Sequence, residues 1–153
     1  IAIRYPRGRG VIVDWEQPYR EIAIGHAKCL KNGSKAAILS TGAIGNNVAA
    51  ALQNLNNPKA IAHYDFAFVK PLDEKLLHEI FAAFENIITI EDGAIKGGFG
   101  NAIAAFAAIH RYTASIQMLG VPDSFIEQGT VDELQQLCGI DIGSIQSLLE
   151  KYL

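Results

Sequence analysis

The sequence predicts an α/β protein, a three-layer α/β/α sandwich built on a mostly parallel sheet of about five strands. Two observations carry this. Strand-like apolar runs alternate along the chain with runs of helical period. Several of the strand-like runs are apolar almost throughout, as strands are when both faces of a sheet are covered. The chain has 153 residues, of which 50% are hydrophobic and 19% charged. That is enough to bury one core, and it excludes a disordered chain.

The elements follow in order. Glu21-Ile22-Ala23-Ile24-Gly25 alternates as a strand does, and Lys28 to Gly33 reads as a turn around Asn32-Gly33. Lys35 to Ser40 is a continuous apolar strand ending at Thr41-Gly42. Ala43 to Leu55 has helical period, with Ile44, Val48, Ala51, Leu52 and Leu55 on one face, and Asn56-Asn57-Pro58 stops it. Ala60 to Tyr64 is a short strand. Pro71 and Asp73 sit where a helix starts, and it runs through Leu76, Leu77, Ile80, Phe81 and Phe84. Asn86 to Ile90 is a β-branched strand of the doubly buried kind. A glycine-rich loop leads into a helix over Phe99 to His110, and Ser115 to Gly120 is the last strand. Thr130 with Glu133 forms a capping box, and Asp141 opens a final helix ending near Tyr152.

The start of the chain reads differently. Ile1 to Tyr5 has the pattern of a strand, and a chain that opens on a strand's first residue is expected to be part of a longer parent. Gly8 to Arg20 fits neither period and reads as a linker.

Several functions are disfavoured. A net charge of −3 gives no basic field for nucleic acid or an anionic membrane. No apolar run reaches the ~18 residues that span a bilayer, and the first residues do not resemble a signal peptide. Cys29 and Cys138 are far apart and are expected to be free, mostly buried thiols in a reducing cytosol. His26, His63, His78 and His110 are scattered without ligand spacing, so no metal site is expected. There is neither a nucleophile elbow nor a Walker loop.

Three stretches could carry chemistry. Glu91 to Asn101 places glycines 93, 97, 98 and 100 between a buried strand and a helix, where backbone N–H groups can cradle an anion. A dinucleotide fingerprint needs a third glycine, but position 103 is Ile and the loop comes late in the chain. The alternatives are a tight turn that lets helix and sheet pack closely, or a contact with another domain. Glu91 and Asp92, adjacent at a strand end, could do acid–base work, cap the next helix or pair with Lys96. Arg4, Arg7 and Arg9 surround Tyr5-Pro6 and Gly8, and an arginine entering a glycine turn suits a phosphate, because its guanidinium makes two parallel bonds to phosphate oxygens. The plainer reading is a solvated basic turn.

Four of these segments together resemble one family. Ala2-Ile3-Arg4-Tyr5-Pro6-Arg7-Gly8, Phe68-Val69-Lys70-Pro71-Leu72-Asp73-Glu74, Glu91-Asp92 with Gly97-Gly98-Phe99-Gly100, and Gly120-Val121-Pro122-Asp123-Ser124-Phe125 are similar, in this order, to the end of the 1-deoxy-D-xylulose-5-phosphate synthase family of the transketolase superfamily. The resemblance implies a three-domain parent that depends on thiamine diphosphate and Mg2+. It would join pyruvate to glyceraldehyde 3-phosphate with loss of CO2, in the cytoplasm and as a homodimer, for isoprenoid, thiamine and pyridoxal synthesis. It implies that residues 1–7 are the tail of a pyrimidine-binding domain, 8–20 a linker and 21–153 the transketolase C-terminal-like domain, with an antiparallel edge strand near Glu21–Gly25. The family's cofactor signature and activating glutamate have no counterpart here, so this piece is expected to bind no cofactor and to be inactive alone. Arg7 matches the arginine that holds the acceptor's phosphate, with Arg4 a weaker candidate. Ala67 departs from the arginine usual before the F-V-K-P segment. A matching domain of a transketolase or of a 2-oxo-acid dehydrogenase β-subunit, and a free-standing nucleotide-binding module, are the alternatives.

Overall fold

A computed structural model describes residues 21–153 together with Ala2, Ile3, Tyr5 and Pro18. Five strands form one sheet: β1 (Lys28–Lys31), β2 (Ala36–Thr41), β3 (Ile61–Asp65), β4 (Asn86–Ala94) and β5 (Ser115–Val121). Their order across the sheet is β1-β3-β2-β4-β5. The pairs β2–β3, β2–β4 and β4–β5 are parallel, and β1 runs antiparallel to β3 at the edge.

Helices α1 (Gly45–Gln53), α2 (Glu74–Ala83), α3 (Phe99–Ile109), α4 (Val131–Leu137) and α5 (Ile142–Leu149) complete the fold. The two faces of the sheet bury separate apolar clusters. On one, Ile38, Ile88 and Ile90 pack with Val48 and Leu52 of α1 and Ile145 and Leu149 of α5. On the other, Leu39 and Ile87 pack with Leu77 and Ile80 of α2 and Ile103 and Phe106 of α3. Consecutive residues of β2 therefore serve opposite layers, and both must be apolar.

Most helix ends match their sequence signals. The Asp73 carboxylate accepts the amide of Leu76 at 3.0 Å, so it caps α2. Thr130 and Glu133 form the full reciprocal capping box on α4. Asp141 caps α5 through Gly143 and Ser144.

Several expectations need correction. The antiparallel edge strand is Lys28–Lys31, not Glu21–Gly25. Gly25 turns at φ +76°, in the left-handed region, and ends any extended run there. Ile22 and Ile24 are both largely exposed, so their alternation faces no core. Asn32-Gly33 does turn the chain, but β1 and β2 do not pair, because β3 lies between them. Gly33 is needed for space: a Cβ there would lie 2.0 Å from the amide nitrogen of Ala62. The Lys31 ammonium donates to the carbonyls of Pro58 and Ile61, which hides it at the edge. Strand β4 continues four residues beyond the expected Ile90 and pairs Ala94 with Val121. Cys29 is exposed and Cys138 half-buried, both free, so the thiols are not mostly buried.

At the start of the chain, Ala2, Ile3 and Tyr5 are exposed and join no strand. Arg4, Arg7, Arg9 and most of the expected linker lie outside the described residues.

Candidate functional site

In an open parallel sheet, ligands bind beyond the carboxyl ends of the strands, where the connections diverge to opposite sides. Here that point lies between β2 and β4. From β2 the chain crosses through α1 to β3, and from β4 it crosses through α3 to β5 on the other side. The turn Gly42–Ile44 and the glycine loop Ile95–Gly98 flank this crevice.

The glycine loop is built around its own anion. Glu91, buried at the last position of β4 that pairs with β2, aims its carboxylate at the first turn of α3. Oε2 accepts the amide of Phe99 and Oε1 that of Gly100, each at 2.9 Å. The Asn101 side chain takes the amide of Gly97 at 2.7 Å, and Ile95 O takes that of Gly98 at 3.2 Å. Four successive amides, from Gly97 to Gly100, are thus engaged inside the chain. The donors that would cradle a diphosphate are occupied, and a nucleotide module working through this loop is excluded. Glu91 is a helix cap, one of the three roles open to it on sequence. Lys96 does not pair with it but reaches Asp123 at 2.7 Å across the surface.

The glycines serve close packing. A Cβ on Gly98 would sit 2.3 Å from both Ala94 O and Glu91 Oε2. One on Gly100 would sit 2.5 Å from Thr89 Oγ1, which is buried without a hydrogen-bond partner beneath the helix. The helix therefore lies directly on β4 and β5.

The corner between β3 and α2 carries the F-V-K-P-L-D-E segment. Thr41 Oγ1 donates to Phe66 O at 2.8 Å, and the Phe66 ring packs on Phe99 at 5.4 Å. Besides capping α2, Asp73 accepts the amide of Ala27 at 3.0 Å, with His26 Nδ1 4.0 Å away. Gly25 packs against Pro71, 3.0 Å from where its Cβ would be. The segment entering β1 is thereby stapled to the head of α2, at the carboxyl end of β3 and so at the same end of the sheet as the crevice.

Two histidine clusters were not legible in the sequence. Ser40 Oγ lies 2.8 Å from His63 Nε2, and both are buried under Gly45 at the start of α1. Burial, and then the positive charge of Lys31, hold the His63 imidazole down to about 4. On the far side of the sheet, His78 Nδ1 lies 2.7 Å from the Tyr112 hydroxyl, and the rings of His78 and His110 meet at 4.6 Å. These residues are separated by 23 to 34 positions, so no local spacing announces them. Among the described residues, no three of His, Cys, Asp and Glu converge on a metal position.

The model of the transketolase C-terminal domain family matches residues 25–145, which take in the whole of the sheet, helices α1 to α4 and the first turn of α5. The chain belongs to that family. The transketolase C-terminal domain accounts for the strand order, the antiparallel edge and the helices on both faces.

Named relatives are similar over nearly the full length. A 1-deoxy-D-xylulose-5-phosphate synthase of Bacteroides thetaiotaomicron is 49% identical over 98% of this chain and 24% of its own. That of Parabacteroides distasonis is also 49% identical, again over 98% and 24%. That of Vibrio campbellii is 38% identical over 99% and 24%. The chain therefore spans about a quarter of the length of the curated relatives it matches. Among solved structures, a split-gene transketolase described as an inactive β4 tetramer superposes with a TM-score of 0.76 at 25% identity, over 88% of this chain and 44% of its own. The transketolase of Campylobacter jejuni, at 14% identity and a TM-score of 0.58 over 88% and 20%, shares the fold. None of the described residues forms a helix long and apolar enough to cross a membrane.

Proposed function

We propose that this chain is the C-terminal part of a 1-deoxy-D-xylulose-5-phosphate synthase, a transferase that joins pyruvate to glyceraldehyde 3-phosphate and releases CO2. The observation that supports this most is the 49% identity to synthases of that name over 98% of the chain. A transketolase is the second reading, supported by the 25% identity and TM-score of 0.76 to the split-gene enzyme. The higher identity favours the synthase.

In this reading, residues 1–7 end a preceding pyrimidine-binding domain, 8–20 are a linker and 21–153 are the C-terminal domain. Thiamine diphosphate supplies the carbon nucleophile that releases CO2 from pyruvate. The described residues do not fit that group, since the amides of the glycine loop are engaged and no carboxylate cluster gathers for Mg2+. The parent's other domains hold the cofactor, and a second subunit completes a cytoplasmic homodimer. Arg7 binds the phosphate of the acceptor, with Arg4 the weaker candidate. The guanidinium fork suits two phosphate oxygens.

The test uses the full-length parent and this chain side by side. With cofactor, Mg2+ and both substrates, the parent should release CO2 and yield 1-deoxy-D-xylulose 5-phosphate. This chain should bind the cofactor no more tightly than about 10 μM, roughly −7 kcal/mol. A parent that transfers a two-carbon unit between sugar phosphates and ignores pyruvate overturns the proposal.

A further inference from the structure

Of the chain's eight asparagines, only Asn32 precedes a glycine. It lies in the connection from β1 to β2 and is exposed. Its side-chain oxygen accepts from the Cys29 thiol at 3.4 Å, and its side-chain NH2 group donates to none of the described residues. The amides of Ser34 and Lys35 are both held by Ala60 O, at 3.1 and 2.8 Å. The Gly33 amide, just before them, makes no hydrogen bond to a described residue.

These are the parts of an intramolecular reaction. The Gly33 nitrogen, once it gives up its proton, attacks Asn32 Cγ. A new N–Cγ bond closes a five-membered succinimide, the Cγ–Nδ2 bond breaks, and Nδ2 leaves as ammonia with a proton from solvent. Water then opens the ring at either carbonyl. One product is aspartate at position 32, and the other is an isoaspartyl link whose main chain runs through Cγ. In sum an amide and water become a carboxylate and ammonium, with no change of oxidation state. Ring closure is fastest where the attacking residue has no side chain to crowd it and its backbone is free to turn.

The fold itself demands glycine at that position. A Cβ on residue 33 would lie 2.0 Å from Ala62 N and 2.2 Å from the carbonyl carbon of Ile61. Close packing of the connection against β3 thus keeps the attacking residue beside Asn32.

We infer that Asn32-Gly33 is a self-modification site, which converts with time to aspartate and isoaspartate and loosens the β1 edge. The carboxylate forms next to Lys31, whose ammonium lies 3.4 Å from Asn32 O and donates to the carbonyls of Pro58 and Ile61. It competes with those carbonyls for the ammonium. The isoaspartyl link lengthens the main chain where Gly33 has no room to shift. Both changes act on a strand whose only ladder is with β3, from Lys28–Asp65 to Lys31–His63. The inference does not depend on the reaction of the parent.

Peptide mapping by mass spectrometry, with enzymatic methylation to mark isoaspartate, tests it on this chain kept in neutral to mildly alkaline buffer. Conversion at Asn32 should rise in proportion to hydroxide. It should run within about tenfold of its rate in a free peptide of residues 28–36, a barrier difference of about 1.4 kcal/mol. Asn56 and Asn57, also exposed but followed by Asn and Pro, should convert more slowly. Asn32→Ser should abolish the new species and keep its circular dichroism. The converted chain, separated by ion exchange, should exchange the amides of residues 28–31 faster than fresh protein or the Asn32→Ser variant, with those of β4 unchanged. Conversion slower than in the peptide by more than that tenfold, or as fast at Asn56 or Asn57 as at Asn32, overturns the site. Full conversion with unchanged exchange in β1 overturns the loosening.

Discussion

The carboxylate of Glu91 closes on the amide of Phe99 at 2.9 Å and on that of Gly100 at the same distance. A side chain of the sheet thus occupies the place where other α/β folds bind a phosphate. Glu91→Ala should leave two buried donors unsatisfied and cost about 2–3 kcal/mol of stability, read from urea unfolding. Glu91→Gln, which keeps one acceptor oxygen, should cost about half as much. Calorimetric titration of the wild type with nucleotides should give no binding tighter than ~1 mM.

Gly97 and Gly98 are neighbours with different duties. Gly97 turns at φ +75° with open space around it, whereas Gly98 has Ala94 O and Glu91 Oε2 within 2.3 Å of a would-be Cβ. Gly97→Ala should therefore cost about 1–2 kcal/mol through backbone strain alone. Gly98→Ala should cost clearly more, because a backbone carbonyl and the Glu91 cap must both move. Equal melting temperatures for the two variants would contradict this assignment.

His63 sets the response to mild acid. Its folded imidazole titrates at about 4, below the ordinary 6.5 of an unfolded chain. The unfolded state therefore binds a proton first as the pH drops. Stability is full above 6.5 and is lost as the pH falls toward 4. Between pH 6.5 and pH 5 the loss should be about 2 kcal/mol in urea titrations. Asp65, whose carboxyl burial pushes up, works in the opposite sense, and Asp141, held down by Ser144, acts only at more acid pH. His63→Gln should flatten the curve in this window.

The Asp73 staple should separate into two parts. Asn can still cap α2 but can no longer offer Ala27 a carboxylate oxygen. Asp73→Asn should cost under ~1 kcal/mol, and Asp73→Ala about 1–2 kcal/mol. Hydrogen exchange should rise at Ala27 in both variants, but at Leu76 only in the alanine variant.

Arg7 is tested in the full-length parent. Arg7→Ala should lower kcat/KM for glyceraldehyde 3-phosphate by roughly 10- to 150-fold, the loss of a charge-assisted bond of about 1.5–3 kcal/mol. Cofactor affinity should stay nearly unchanged, and Arg7→Lys should restore part of the loss. Arg4→Ala controls for damage to the surrounding segment. Full activity of Arg7→Ala with the phosphorylated acceptor would remove Arg7 from the phosphate site.

Alternation of apolar runs carried the fold because burial on both faces leaves an unambiguous mark on strands such as Ile38-Leu39 and Ile87-Ile88. The edge strand escaped the same reading. Lys28 and Lys31 are what an edge tolerates, and they look like a turn, while Ile22 and Ile24 alternate without a core to face. Caps were legible because Asp73, Thr130 and Asp141 act within three residues of themselves. Glu91 acts eight and nine residues away, across a loop, so its role stayed one of several until the loop's path was known. The meeting of Ser40 with His63, or of His78 with His110, depends on strand register and helix packing and leaves no trace in local spacing.

The strand order also has a kinetic consequence. Ala37 pairs with Ala62 across about 25 residues of chain and with Ile87 across about 50. The unit β2–α1–β3 and the unit β4–α3–β5 each close a shorter loop than the seam between β2 and β4 requires. Each half should assemble first and the seam last, so mutations within the β2–α1–β3 or β4–α3–β5 unit should slow folding, while those along the seam from Ala37–Ile87 to Ser40–Ile90 should mainly speed unfolding. The crevice at the carboxyl ends of the strands is then the final part of the molecule to exist, and no half-formed intermediate can present it.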